Sequence, residues 1–174
     1  MEMKKIISVI ILVFMTAGIG LFQATATDRK LDAGDLNRLI SRYQDEEGFE
    51  VVKFGNIPLG LVKLIANATA SEEDKKALEL FDGINKFIVV EYYGASSSKK
   101  TAFIKDLSSI LDGVEKIVEV KDSGDSFEIY GSLSKDGEKI NNVVINTFDE
   151  CSLVCFFGTV KMKDIGEITK MTNE

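Results

Sequence analysis

The chain has no histidine and no tryptophan, a single proline and two cysteines. Without imidazole it cannot build a Ser-His-Asp triad, a Cys-His dyad or a histidine-ligated metal centre. Without indole the case for a carbohydrate-stacking platform is weak. One proline and no low-complexity tract argue against a linker or a disordered tail in the region that follows the first 26 residues. No internal repeat is visible. Basic residues never cluster beyond Lys99-Lys100, and the formal net charge is -7. Nucleic acid and anionic membrane should both repel such a surface.

What is present begins at the N-terminus. Met1 to Lys5 is short and basic, Ile6 to Phe22 is almost unbroken hydrocarbon, and Ala24-Thr25-Ala26 follows. This is the charge, apolar core and small-residue exit of a secretory leader, with cleavage expected after Ala26 at the Ala24-x-Ala26 motif. The expectation is a periplasmic or secreted protein. The alternative is an inner-membrane anchor, because the apolar run is close to the roughly 18 residues that span a bilayer. The first cysteine is Cys151, so there is none after the leader to carry a lipid. Residues 27–174 then form one domain of ordinary size, whose net charge falls to about -8 once the leader is removed.

Asp32 is placed to cap a helix with the apolar stripe Leu36, Leu39, Ile40 and Tyr43. A strand over Phe49 to Phe54 follows. Asn56 and Ser71 begin two further helices, one through Leu61, Val62, Leu64 and Ile65 and one through Ala77, Leu78 and Phe81. Lys86 to Tyr93 is apolar on both faces, which predicts a strand covered on both sides near the sheet centre. Ser97 or Ser98 should cap a long helix striped by Phe103, Leu107, Ile110 and Leu111 and stopped by Gly113.

From Glu115 the period changes to two. Phe127, Ile129 and Leu133 share a face, Val143 and Ile145 lie opposite Ile140 and Val144, and Leu153 to Val160 is apolar throughout. Turns at Asp122 to Asp125, Lys135 to Gly137 and Asp149-Glu150 make this an antiparallel meander of four strands. A short helix with Met162, Ile165, Ile168 and Met171 closes the chain. The expected fold is α+β: a single mixed, mostly antiparallel sheet of about five to six strands with helices mainly on one face. Phe87 to Tyr93, the long helix and Lys116 to Lys121 are expected to form a right-handed crossover.

Few residues invite a chemical role. Cys151 and Cys155 are an even pair in an exported chain. On one strand, however, four residues separate their Cα atoms by roughly 13 Å, against the roughly 7 Å that a disulfide bridges. The expectation is a buried Cys155 and a Cys151 near a turn. Asp122-x-x-Asp125 and Asp136-x-Glu138 supply too few oxygens in register for calcium and fit turns. Ser96-x-x-Lys99 and Ser97-x-x-Lys100 match a serine-lysine enzyme spacing without its companion motifs, and serines at that point are expected caps. Glu91 lies within an apolar strand, where burial would make it a general-acid candidate. Its position beside Tyr92 and Tyr93 at the strand end favours a solvated role. Asn67-Ala68-Thr69 is a glycosylation sequon by letter only. No catalytic set, cofactor or metal site is expected.

The order of these segments resembles the exported bacterial family catalogued as domain of unknown function 4252. The likeness rests on Leu39-Ile40-Ser41-Arg42-Tyr43 and Glu47-Gly48-Phe49-Glu50-Val51-Val52, then Ala77-Leu78-Glu79-Leu80-Phe81 leading to Ile84 and the Phe87 to Glu91 strand. It closes with Val143-Val144-Ile145, Gly158-Thr159-Val160 and Ile165. The resemblance implies a small periplasmic protein of Gram-negative bacteria with no assigned activity, some relatives being encoded near alternative sigma factors. Unlike the lipoprotein members, this chain lacks the lipidated cysteine.

The functional expectation is a non-enzymatic interaction module with a protein partner in the cell envelope, accessory to envelope sensing or stress response. A small-molecule or lipid carrier is the alternative, drawn from the bulky Phe87, Phe127, Phe148, Phe156 and Phe157. A carboxylate-dependent cell-wall hydrolase would need two convergent acids, and no spacing proposes a pair.

Overall fold

A computed structural model describes residues 29–55, 83–121 and 126–161. The leader with Ala24 and Ala26, the helices expected from Asn56 and Ser71, the sequon at Asn67, the turn Asp122 to Asp125 and the closing helix lie outside them. The elements are α1 (Ala33–Tyr43), β1 (Glu50–Gly55), β2 (Ile84–Glu91), α2 (Ser97–Leu111), β3 (Lys116–Lys121), β4 (Ser126–Leu133), β5 (Lys139–Thr147) and β6 (Ser152–Lys161). The six strands form one sheet in the order β1-β2-β6-β5-β4-β3. This is an α+β fold.

Asp32 caps α1 by accepting hydrogen bonds from the amides of Gly34 and Asp35, and the expected stripe Leu36, Leu39, Ile40 and Tyr43 is buried. The cap of α2 is Ser96, one residue earlier than expected, its side chain accepting from the Lys99 amide. Phe103, Leu107 and Leu111 are buried on α2 and Ile110 packs at the margin. Gly113 adopts φ +72°, the left-handed stop that glycine takes without strain.

Both helices lie on one face of the sheet. There Leu36, Leu39, Ile40, Phe103 and Leu107 join Ile88, Val90, Val144, Leu153, Cys155 and Phe157 in a single buried cluster. Tyr43, Phe49, Tyr92 and Phe103 pack as an aromatic knot, with ring centroids 5.0 to 6.1 Å apart. The opposite face has its own buried cluster of Ile84, Val89, Phe127, Ile129, Ile140, Val143, Ile145, Val154, Phe156 and Val160.

Every pairing between named strands is antiparallel. β2 and β3 run parallel to each other, but β6, β5 and β4 stand between them, so the β2-α2-β3 connection crosses most of the sheet. β2 is second from an edge, and β6 and β5 occupy the centre. Apolar residues on both faces of β2 report cover on both sides, which does not require a central position.

Ile140 corrects the expected alternation. A strict two-residue period puts it on one face with Val144, yet it lies with Val143 and Ile145. Consecutive Gly131 and Ser132 of β4 pair with Val143 and Asn141, which leaves Asn142, at φ +51°, as an extra residue in β5. One extra residue in a bulge inverts the side-chain alternation on one side of it. Gly158, at φ +138°, faces this bulge from β6, and its amide donates to Asn142 Oδ1 at 3.2 Å.

Candidate functional site

Two of the three candidate residues, Glu91 and Cys151, lie at one end of the sheet. There β1 begins, β2 ends, α2 starts and the β5–β6 turn closes. The Tyr92 amide donates to the Cys151 carbonyl at 2.9 Å, and the Cys151 amide donates to Phe148 at 3.2 Å. These bonds hold the turn beside the end of β2. Glu91 is half-buried there, with Glu50 and Ser152 as its ladder partners on the two neighbouring strands.

Cys151 has φ +49° and is partly exposed. Its Sγ lies 3.8 Å from Lys100 Nζ and 3.6 Å from the Phe148 carbonyl. The same ammonium stands 5.0 Å from the centre of the Tyr93 ring, which is 75 % exposed. Tyr93 is thus a large aromatic held outward by a cation over its face.

Cys155 is elsewhere. It lies between Ile88 and Val144 in the helix-side core, and burial pushes its thiol up to about 12, against a small opposing pull from Lys86. Both cysteines are free thiols. The extended strand separates them as its rise per residue requires.

The other motifs resolve into structural tasks. Ser96 caps α2. Asp136 Oδ1 accepts from the Ser134 hydroxyl and the Glu138 amide, and these bonds hold its carboxyl below the usual range. This is the expected turn. Among the described residues, no three His, Cys, Asp or Glu side chains are grouped as a metal site, and no helix is long and apolar enough to cross a membrane.

Sequence reasoning missed two groupings. One is the pairing of Glu50 with Glu91, two carboxylates opposite each other across β1 and β2. The other joins Lys116, Glu128 and Tyr130. Lys116 Nζ donates to Glu128 Oε1 at 2.6 Å, and the Tyr130 hydroxyl donates to Glu128 Oε2 at 2.9 Å. Burial opposes charge on Lys116, but its bonds to Glu128 and Glu119 and the charges of Tyr130 and Glu128 together outweigh that and raise its pKa. Burial, helped by the Glu128 bond, pushes Tyr130 up to about 12. At neutral pH the trio is a cation, an anion and a phenol locked together, a structural bracket between β3 and β4. Only the β3–β4 register, with Lys116 opposite Tyr130, brings the three within reach.

The family model described as Domain of unknown function (DUF4252) matches residues 43–168. The chain belongs to that family. Its DUF4252 region runs from the last residue of α1 past the end of β6, so the whole sheet, α2 and the Cys151 corner lie within it. No curated protein and no solved structure matches the chain.

Proposed function

We propose that this DUF4252 protein is an exported, non-enzymatic interaction module of the cell envelope, released by cleavage after Ala26 and accessory to envelope sensing. The observation that carries the reading is Tyr93, 75 % exposed and braced by Lys100 at a corner built from four chain segments. Tyrosine presents large contact area at low entropic cost and recurs among the residues that dominate protein interfaces. The groups that first suggested chemistry support the same reading, because Ser96, Asp136 and Cys155 are engaged in a cap, a turn and the core. The export part rests on the leader sequence.

A photo-crosslinking amino acid at Tyr93, introduced in the native host, tests the proposal. One defined envelope protein cross-linked at Tyr93, and not at exposed Lys135, is the expected result. No adduct at Tyr93, or the same diffuse adducts at both positions, would overturn it.

A further inference from the structure

Residues 29–32 bind the start of the domain to its most distant parts. Arg29 pairs in parallel with Val114, and its guanidinium donates to the Asp112 carbonyl at 2.6 Å. Leu31 is 3 % exposed and packs in the helix-side cluster with Val114. Its amide donates to Ser132 Oγ at 2.8 Å, and its carbonyl accepts from Asn142 Nδ2 at 3.1 Å. Asp32 then caps α1. The segment is a strap that joins the α2–β3 link, β4, the bulge of β5 and α1. Both polar groups of the Leu31 backbone are satisfied by side chains 101 and 111 residues away. Those contacts form only once β4 and β5 are in place.

The strap begins close to the expected cleavage point. Only Thr27 and Asp28 separate Ala26 from Arg29. An extended chain covers about 3.5 Å per residue, so Ala26 stands no more than about 10 Å from the docked Arg29. A folded domain of this length has a radius of gyration of about 15 Å. The leash is shorter than the body it holds. Upstream, the apolar run ends at Phe22, so the scissile bond lies at the bilayer surface while the leader spans it. A peptidase acting there has to hold an extended segment on both sides of the bond. A segment bound into a fold is cut only from its opened state.

We infer that docking of residues 29–32 and cleavage after Ala26 exclude each other, so that the leader has to be removed before the strap closes. A chain that folds first stays joined to its leader. The strap's own partners set the order, because Ser132 and Asn142 lie late in the chain and leave the segment after Ala26 free until they arrive. The inference rests on the export reading above, and its test separates the two.

N-terminal sequencing of the protein made in its own host tests that reading, Thr27 being the expected first residue. The full-length chain, folded in detergent micelles and checked by cooperative thermal unfolding, is then offered to the host's signal peptidase. Beside it stands a variant with a Gly-Ser insert of about six residues between Asp28 and Arg29, which adds about 20 Å of reach and changes nothing within the strap. The insert variant should be cut at least about tenfold faster, because the natural chain waits for its strap to open. Equal rates, fast or slow, would overturn the inference, while a Thr27 terminus leaves the export reading standing. A different first residue would overturn both.

Discussion

Glu50 of β1 and Glu91 of β2 face each other directly across the antiparallel ladder. In the sequence Glu91 stands as a lone acid in an apolar strand. Its setting is instead a like-charge pair at the end of the sheet, with Glu50 exposed to solvent.

Like charges opposite each other cost a sheet some tenths of a kcal/mol. Glu50→Lys should therefore stabilise the protein by about 0.5 kcal/mol. The gain should shrink as salt screens the new pair. Urea unfolding at low and high ionic strength measures both, and a loss of stability would show that Glu50 has another favourable role.

The thiols should behave oppositely. Cys151 should take up a maleimide in the native state, whereas Cys155 should react only after denaturation. Oxidation should leave the chain without an intramolecular disulfide, a result that mass spectrometry reads directly.

Alkali should weaken the fold through Cys155. Its pKa rises from an ordinary 9.0 to about 12 on folding, so between these values the native state holds a proton that the unfolded state has lost. The contribution is complete below about pH 9 and falls as pH rises toward about 12. Tyr130, raised from 10.0 to about 12, adds to the same loss. Urea midpoints measured across this range should fall less steeply in Cys155→Ala, although that variant starts from a lower stability.

Asn142 ties three segments together. Its Nδ2 donates to the Leu31 carbonyl at 3.1 Å, and its Oδ1 accepts from the Gly158 amide. Asn142→Ala should cost about 2–3 kcal/mol, combining two lost hydrogen bonds with the strain of alanine at positive φ. Asn142→Gly should recover about 1 kcal/mol of that, since only the backbone strain is relieved. Equal losses in the two variants would assign the whole cost to the hydrogen bonds.

Gly48 has φ +85°, and a Cβ there would lie 2.3 Å from the Ala95 amide nitrogen. The obstacle is backbone and cannot swing aside. Gly48→Ala should cost about 3 kcal/mol or more. Gly137 has a similar φ of +71° but nothing within 4 Å. Gly137→Ala should cost only about 1 kcal/mol, and thermal unfolding of the pair separates crowding from conformation.

Local patterns were legible wherever the physics is local. The stripe from Leu36 to Tyr43, its Asp32 cap and the stop at Gly113 follow from helix periodicity and from the few residues that satisfy helix ends. The two-residue period after Glu115 announced the meander, and strand rise alone separated Cys151 from Cys155. The Asn142 bulge left no such trace, because asparagine is ordinary in a strand pattern and its positive φ is stabilised by Leu31, 111 residues away.

The sequence by itself determined the α+β class, both helix faces, the two-sided burial of β2 and membership of its family, since each depends on residues close together in the chain. Tertiary structure alone decided the strand order, the inverted alternation at Ile140, and the Glu50–Glu91 and Lys116–Glu128–Tyr130 groupings. Those depend on register between strands far apart in sequence. Register is set by the summed packing of both sheet faces, which no single stretch of residues encodes.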